Sequence, residues 1–338
     1  MLFNSLSFFA FFIITTLVYF VLPQKLKNMW LLFMSYIFYM QWNVEYALLM
    51  LVVTATTWVA GILMQKFKSV VAKKSCLLTC IVFNILFLCF FKYADFVLEN
   101  LGLIMSREFS SLNILLPVGI SFYIFQAVGY VVDVYRGELP AERSFIVYAL
   151  FVSFYPQLVA GPIERSTNLI GQLKEKHYFE YNRVREGLLL MGWGLFQKMV
   201  IADRAAILVN TVFYNYSLYS GSCRVVAAIC FAIQIYCDFG GYSNIAIGAA
   251  KVMGISLIHN FNAPYFAVSI KDFWRRWHVS LSQWFRDYVY IPMGGSRCSK
   301  IKKYKNLMCT FLLSGLWHGA GWNYVFWGGV SRNMPNYR

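Results

Sequence analysis

Residues 306–330 read NLMCTFLLSGLWHGAGWNYVFWGGV, a run without Asp, Glu, Lys or Arg. A helix needs about 20 predominantly apolar residues to cross the hydrocarbon layer of a membrane. The run holds one histidine, His318, which lies roughly 18 Å from the start of a continuous helix at about 1.5 Å per residue. An ionisable side chain at that depth usually faces the interior of a helix bundle or a water-filled path. The stretch therefore predicts a membrane helix with a polar group near the middle of the bilayer.

Similar apolar runs recur along the whole chain. They comprise residues 2–24, 28–44, 46–65, 75–91, 109–132, 144–163, 187–200 with Lys198, 205–223 and 225–250 with Asp238. By length they predict an all-α, polytopic membrane protein with roughly nine or ten membrane segments. The first run lacks the basic start and cleavage site of a signal peptide, so we expect it to remain as a span. No linker divides the chain. We therefore expect one membrane domain over residues 1–330 and an irregular tail over 331–338.

Composition and charge agree with a membrane location. Of the 338 residues 59% are hydrophobic and 13% are charged, whereas a soluble domain carries about 25% charged residues. The net charge of +15 comes from Lys and Arg between apolar runs, where cytoplasmic loops concentrate them. We expect contacts with membrane lipids and no nucleic-acid partner. The basic loops 65–74 and 297–305 are predicted to be cytoplasmic, which places the N-terminus outside. The eight cysteines form no CxxC pair and predict neither a metal site nor a disulfide framework.

An unusual stretch in the middle of the chain is FYPQLVAGPIERS, residues 154–166. It places Pro156, Gly161 and Pro162 at membrane depth. Irregular backbone at that depth must be buried in protein or line a cavity. The stretch therefore predicts a bent or re-entrant element.

A second histidine lies in DFWRRWHVSLSQWFRDYVYIPMGGSR, residues 272–297. Read as one helix, this stretch places a row of residues on one face at three- and four-residue spacing. The row comprises Trp274, Trp277, His278, Leu281 and Trp284. An interfacial basic-aromatic helix, with Arg275 and Arg276 reaching headgroups or phosphates, explains most of these residues. It does not explain His278, because a histidine in its ordinary state titrates near pH 6.5 and makes a poor anchor.

Two polar residues in the apolar runs have more than one interpretation. His318 could be a neutral histidine hydrogen-bonded between helices, or a group that takes part in chemistry. Asp238 lies in QIYCDFGGYSNIAIGAAKVMG, residues 234–254, where it could cap a helix after a break or act directly on a substrate.

Five stretches together resemble the membrane-bound O-acyltransferase family, of the bacterial alginate and peptidoglycan O-acetylase type. They are LLPVGISFYIFQAVGYVVDVYRG, FYPQLVAGPIERS, QIYCDFGGYSNIAIGAAKVMGI, DFWRRWHVSLSQWFRDYVYIPMGGSR and GLWHGAGWNYVFWG. The resemblance implies a helical membrane fold around a central tunnel, with interfacial or re-entrant helices. It implies an invariant catalytic histidine at His318 and a second functional histidine at His278.

The implied activity is acetyl transfer from a cytoplasmic thioester to hydroxyls of an extracytoplasmic polysaccharide, directly or through a partner acyltransferase. Acetyl-CoA is the expected donor, with no bound cofactor or metal, and the expected location is the inner or plasma membrane. His318 would be the general base, and His278 would orient the thioester carbonyl. The further candidates for donor or substrate binding are Trp277, Arg275, Arg276, Ser280, Trp317 and Asp238.

Three alternatives remain at the level of sequence. They are D-alanyl transfer to teichoic acid, a polysaccharide exporter or permease, and an inactive truncated remnant. The last one arises because similar proteins usually continue into further helices beyond the stretch matched by GLWHG, so we expect a truncation near residue 329.

Overall fold

The regular elements of the protein are helical, as expected for an all-α chain. A computed structural model describes residues 1–159 and 161–333, and no strand occurs within these residues. The α-helices are α1 (Leu6–Val21), α2 (Gln24–Met40), α3 (Val44–Lys66), α4 (Val70–Met105), α5 (Ile120–Arg136), α6 (Phe145–Ser153), α7 (Tyr155–Leu158), α8 (Ser166–Lys174), α9 (Tyr181–Leu195), α10 (Asp203–Tyr214), α11 (Gly221–Val252), α12 (Ile270–Arg276), α13 (Val279–Phe285), α14 (Lys300–His318) and α15 (Trp322–Asn333). Segments Phe196–Ala202 and Arg286–Tyr290 are π-helical.

Three described helices, α3, α4 and α11, are long and apolar enough to cross a membrane, and α1 is a shorter apolar helix. Large apolar side chains such as Leu17 on α1 and Leu86 and Phe90 on α4 are exposed on the outer surface. Extended apolar surface of this kind is unfavourable in water. The chain is therefore a helical membrane protein, although these lengths do not confirm the predicted nine or ten segments.

Several of the predicted spans are divided or shortened. The run 109–132 begins as irregular backbone, and α5 starts only at Ile120. The run 144–163 is broken into α6 and α7 at Phe154, with Pro156 in the first turn of α7. This confirms the predicted bend, because proline has no N–H to continue the helix before it. The bend is buried in protein, as Tyr155 and Gln157 are, which satisfies the requirement for irregular backbone at depth.

The run 306–330 is not one continuous span. Helix α14 ends at His318, and α15 begins at Trp322 and folds back against it. A Cβ at Gly315 would lie 2.3 Å from the carbonyl oxygen of Tyr324, and one at Gly328 would lie 2.4 Å from that of Phe311. The two helices therefore form a tight antiparallel hairpin, and His318 sits at its tip. The predicted irregular tail over 331–338 overlaps the end of α15, which continues to Asn333. Residues 334–338 lie outside the described residues.

Helices α9 and α11 also cross at very short range. A Cβ at Gly194 would lie 2.6 Å from the carbonyl oxygen of Gly241, and one at Gly248 would lie 2.5 Å from that of Gly187. Small residues let two helix backbones approach closely, and van der Waals packing is the main force between helices in lipid. This crossing fixes α11, which forms one wall of the site.

Polar contacts tie the start of α2 to the segment after α8, and the end of α8 to the segment before α6. Lys27 Nζ donates to the carbonyl of His177 at 2.7 Å, Gln24 donates to the carbonyl of Glu175, and Lys174 pairs with Glu142 at 2.5 Å. These contacts join distant parts of the chain at one face of the bundle. The predicted orientation, which makes this face cytoplasmic, stays a prediction.

Candidate active site

A large cavity opens between α4, α5, α11, α12 and the α14–α15 hairpin. Its volume is about 1400 Å³. The wall is mostly apolar and rich in aromatic residues, and it includes Trp274, Trp277, Trp317 and both predicted histidines, His278 and His318. The fold thus brings together two histidines that are 40 residues apart in the sequence, with α13 and most of α14 between them.

His278 lies at a break between two short helices. Helix α12 ends at Arg276 and α13 begins at Val279, and His278 between them has φ 43° and ψ 55°. The prediction of one continuous helix over this stretch is therefore wrong. The physical reason is a backbone contact with another segment, because Val279 N–H donates to the Asn260 carbonyl at 2.9 Å. A left-handed backbone is costly for a residue other than glycine, and such strain is concentrated at functional sites.

The break separates the aromatic row into two groups. Trp274 and Trp277 line the cavity. Trp284 instead packs in parallel against Phe125 of α5, with ring centroids 3.8 Å apart, and donates from Nε1 to the Phe125 carbonyl. Helix α13 is therefore anchored in the core while α12 faces the cavity.

The imidazole of His278 is buried but has unused hydrogen-bonding capacity. Only 4% of the residue is exposed, and neither ring nitrogen has a hydrogen-bond partner among the described residues. The ring packs perpendicular to Phe239 at 4.7 Å. Most buried polar groups are paired, since an unpaired one costs about 1–3 kcal/mol. His278 thus lines the cavity with two buried ring nitrogens that no described protein group binds.

His318 has a defined hydrogen-bonding state. Its Nδ1 lies 2.7 Å from the carbonyl oxygen of Ser314, one turn earlier in α14. A carbonyl only accepts, so Nδ1 must carry a proton and donate it. The neutral imidazole then has an unprotonated Nε2. Because His318 is exposed to the cavity, its Nε2 can accept a proton there.

Trp317 occupies the space beside both histidines. Its ring centroid lies 5.0 Å from that of His318 and 5.8 Å from that of His278, and both contacts are edge-on. Two residues of α4 hold its backbone. Lys92 donates to the Trp317 carbonyl, and Tyr93 donates to the Leu316 carbonyl at 2.6 Å.

Lys92 and Tyr93 were missed in the sequence. The uncharged run 75–91 ends just before Lys92, so the lysine reads as the end of a span. In the structure α4 continues to Met105. The available signal was the apolar character of residues 96–104 beyond the lysine.

The remaining predicted residues do not line this cavity. Arg275 is exposed, and Arg276 pairs with Asp272 at 2.9 Å. Ser280 is buried and donates to Asn260 Oδ1 at 2.7 Å while accepting from Ile163 N–H. Its place is structural, because it ties the bent segment to α13.

Asp238 lies within an uninterrupted helix. Helix α11 runs from Gly221 to Val252, so the interpretation of Asp238 as a cap after a break is wrong. Its carboxylate pairs with Lys198 at 2.6 Å, and Lys198 also pairs with Asp203 at 2.9 Å. Pairing of this kind offsets the cost of charges in apolar helices. Among the described residues no group of three His, Cys, Asp or Glu side chains is placed to hold a metal ion.

Comparison with known proteins assigns the family. The model of the membrane-bound O-acyltransferase family matches residues 138–332, which contain both cavity histidines. The chain belongs to this family. The membrane-bound O-acyltransferases similar to it include a peptidoglycan O-acetyltransferase of Helicobacter pylori, at 36% identity over 97% of this chain and 68% of the relative. A probable alginate O-acetylase of Pseudomonas aeruginosa is 38% identical over 97% of this chain and 64% of the relative.

A more distant relative is the teichoic acid D-alanyltransferase of Bacillus subtilis. It is 30% identical over 64% of this chain and 57% of its own length. The chain thus spans about two thirds of the length of the O-acetylating membrane-bound O-acyltransferases that it matches.

Proposed function

We propose that this chain is a multi-pass O-acetyltransferase of the cytoplasmic membrane. It would move an acetyl group from a cytoplasmic thioester, acetyl-CoA, to hydroxyls of an extracytoplasmic polysaccharide, directly or through a partner acyltransferase. The observation that carries the proposal is the unprotonated Nε2 of His318 at a cavity that His278 also lines. The names of the relatives, which include peptidoglycan and alginate O-acetylases, favour acetyl as the group and a glycan as the acceptor.

His318 would act as the general base. As the acceptor hydroxyl attacks the thioester carbonyl carbon, the proton passes to Nε2 of His318. The carbon–sulfur bond then breaks, and the proton is returned to the leaving thiolate. A positioned base contributes about 10²–10⁴-fold to such a step. The bond from Nδ1 to Ser314 supports this role because it fixes both the tautomer and the ring orientation.

His278 would stabilise the developing charge on the thioester oxygen. Its ring nitrogens have no partner in the part of the chain that the structure describes, and a neutral imidazole carries one N–H that can donate to this oxygen. A donor aimed at a developing oxyanion in a dry site contributes about 10²–10³-fold. The rigid packing of its ring against Phe239 supports a fixed donor position.

The size of the cavity supports two substrates. Small-molecule sites commonly occupy about 300–1,000 Å³, and this cavity has about 1400 Å³. Its aromatic walls, including Trp274 and Trp277, suit an acyl group and the arm that carries it.

The proposal includes nine or ten membrane segments in all. Three of them are α3, α4 and α11. The short helices such as α6 are apolar and largely buried, so they need not contact lipid themselves. Exposed apolar residues on α1 and α4 would contact the lipid chains.

The proposal can be tested by acetyl transfer from radiolabelled acetyl-CoA to peptidoglycan or alginate fragments, with the protein in lipid nanodiscs. His318→Ala should abolish transfer. His259→Ala is the matched control, because His259 is exposed and does not line the cavity. Equal activity of the two variants would contradict the role of His318. Transfer of D-alanine from a carrier protein, with none from acetyl-CoA, would favour D-alanylation. Transport of a polysaccharide by the wild type, without any acyl transfer, would favour an exporter.

A further inference from the structure

Two consecutive residues of α4 bind two consecutive carbonyls at the end of α14. Lys92 donates to the carbonyl of Trp317, and Tyr93 donates to that of Leu316 at 2.6 Å. Lys92 also donates to the hydroxyl of Ser121 on α5 at 3.2 Å. The end of α14 is thereby joined to two other helices.

These carbonyls need partners from outside their own helix. The last four carbonyls of an α-helix have no intrahelical donor. A left-handed residue after the helix often supplies one, but Gly319 is extended, with φ −173°. The C-terminus of a helix also carries a partial negative charge that a cation stabilises. Lys92 and Tyr93 supply what the hairpin itself lacks.

We propose that Lys92 and Tyr93 are positioning residues that hold the last turn of α14, and with it the imidazole of His318, in the geometry required for proton transfer. The Trp317 carbonyl that Lys92 binds belongs to the peptide bond leading directly into His318. The ammonium of Lys92 lies 5.5 Å from the Trp317 ring, which contacts both histidines. One lysine therefore restrains the backbone and the indole next to the base. The inference rests on the proposed function only for the role of His318.

The location of Lys92 in a membrane-spanning helix indicates that its contacts with α14 and α5 have a role. Helix α4 is one of the helices able to cross a membrane, and a lysine within such a helix is costly unless it faces protein or a cavity. Lys92 lines the cavity, and no Asp or Glu shares that wall. Its partners are instead the carbonyl and hydroxyl that fix the end of α14.

Lys92, Tyr93 and the two carbonyls that they bind form a clamp on the end of α14. The first test measures this clamp without using activity. Hydrogen exchange of the amides of residues 314–318 is followed in nanodiscs for the wild type, Lys92→Met, Lys92→Arg and Tyr93→Phe. Loss of the hydrogen bonds from the charged Lys92 lets the last turn of α14 open more often, so Lys92→Met should speed exchange at least about tenfold. Tyr46→Phe is the matched control, since Tyr46 also donates to a backbone carbonyl, that of Leu115 at 2.8 Å, which precedes α5 and is not part of α14. Exchange in Lys92→Met equal to that in Tyr46→Phe would overturn the proposal.

The second test separates positioning from binding and from general stability. Lys92→Met should lower kcat between tenfold and a hundredfold, because small displacements of a catalytic group have effects of that size, while KM for acetyl-CoA stays within about threefold. Lys92→Arg should recover at least a third of the lost kcat. A raised KM with unchanged kcat would mean that Lys92 binds substrate, which would overturn the positioning role. If the wild type transfers no acetyl group, the proposed function fails, while the exchange measurement still decides the clamp.

Discussion

The imidazole of His278 packs edge-on against the indole of Trp317, with the ring centroids 5.8 Å apart. Trp317 immediately precedes His318, whose ring it contacts at 5.0 Å. A single indole thus sets the spacing of the two histidines, although they come from different segments. Its size and position matter to the site even if it contacts no substrate.

Replacement of Trp317 should affect both histidines together. Trp317→Ala removes a mostly buried indole and the edge contacts of both imidazoles. We expect transfer to fall at least about a hundredfold and the free energy of unfolding to fall by about 3–5 kcal/mol. Trp317→Phe keeps an aromatic ring and should retain most of the stability. Turnover and thermal unfolding of both variants check this, and an active, stable Trp317→Ala protein would contradict it.

His278 should tune the reaction rather than be indispensable. His278→Ala removes a donor and should lower turnover about 10²-fold, with a measurable remainder, whereas His318→Ala should leave essentially none. Because His278 has a left-handed backbone, loss of activity could also come from strain. His278→Asn separates the two effects, since asparagine tolerates this conformation and keeps a donor. Asn should therefore exceed Ala in rate. Equal residual rates in His278→Ala and His318→Ala would contradict the prediction that His318 matters more for turnover.

The α9–α11 crossing should not tolerate a side chain at Gly194. Valine there would collide with the Gly241 carbonyl, 2.6 Å from the new Cβ. We expect a loss of about 1–3 kcal/mol or a failure to fold. Gly192→Val is the matched control in the same helix, because nothing lies within 4 Å of its Cβ position. Thermal unfolding in detergent compares the two. Similar melting temperatures would show that the helices are further apart.

Glu164 should make stability depend on pH. Burial raises the pKa of its carboxyl to about 7 from the ordinary 4.5, despite hydrogen bonds from Ile258 N–H and Asn168 that favour the charged form. The folded state therefore holds this proton more tightly than the unfolded state. Its stabilising contribution is complete below pH 4.5 and is lost as pH rises through about 7, by at most about 3 kcal/mol.

Glu164→Gln provides the comparison, because it removes the titration and keeps an acceptor for Ile258. Between pH 5 and pH 8 the melting temperature of the wild type should fall relative to that of the variant. Parallel curves over this range would show that Glu164 does not titrate there.

The orientation can be tested by cysteine labelling. Lys73 lies near the start of α4 and Lys302 near the start of α14, within the segments 65–74 and 297–305 that are predicted to be cytoplasmic. Ser111 lies in the exposed segment that follows the other end of α4. With Cys223→Ser as background, because Cys223 is exposed, a membrane-impermeant thiol reagent should label Ser111→Cys in intact cells and leave Lys73→Cys and Lys302→Cys unlabelled. Strong labelling at both lysine positions would invert the orientation.

Local sequence patterns determined much of this protein. Long uncharged runs predicted a helical membrane chain, because only internally hydrogen-bonded backbone is stable in lipid. Pro156 predicted the bend between α6 and α7, since proline breaks the interior of a helix and is tolerated in a first turn. The residues around His278 and His318 indicated the family, which the comparisons show.

Tertiary contacts decided the rest. The break at His278 depends on Asn260, a residue that no pattern of helix spacing connects to it. The hairpin at His318 depends on the close fit of Gly315 against Tyr324. In the sequence Lys92 marks the end of an apolar run. Only the fold places it beside the Trp317 carbonyl, 225 residues further along the chain. Periodicity reports which faces are apolar, but the strain, the tautomer and the clamp arise from atoms that only the folded chain brings together.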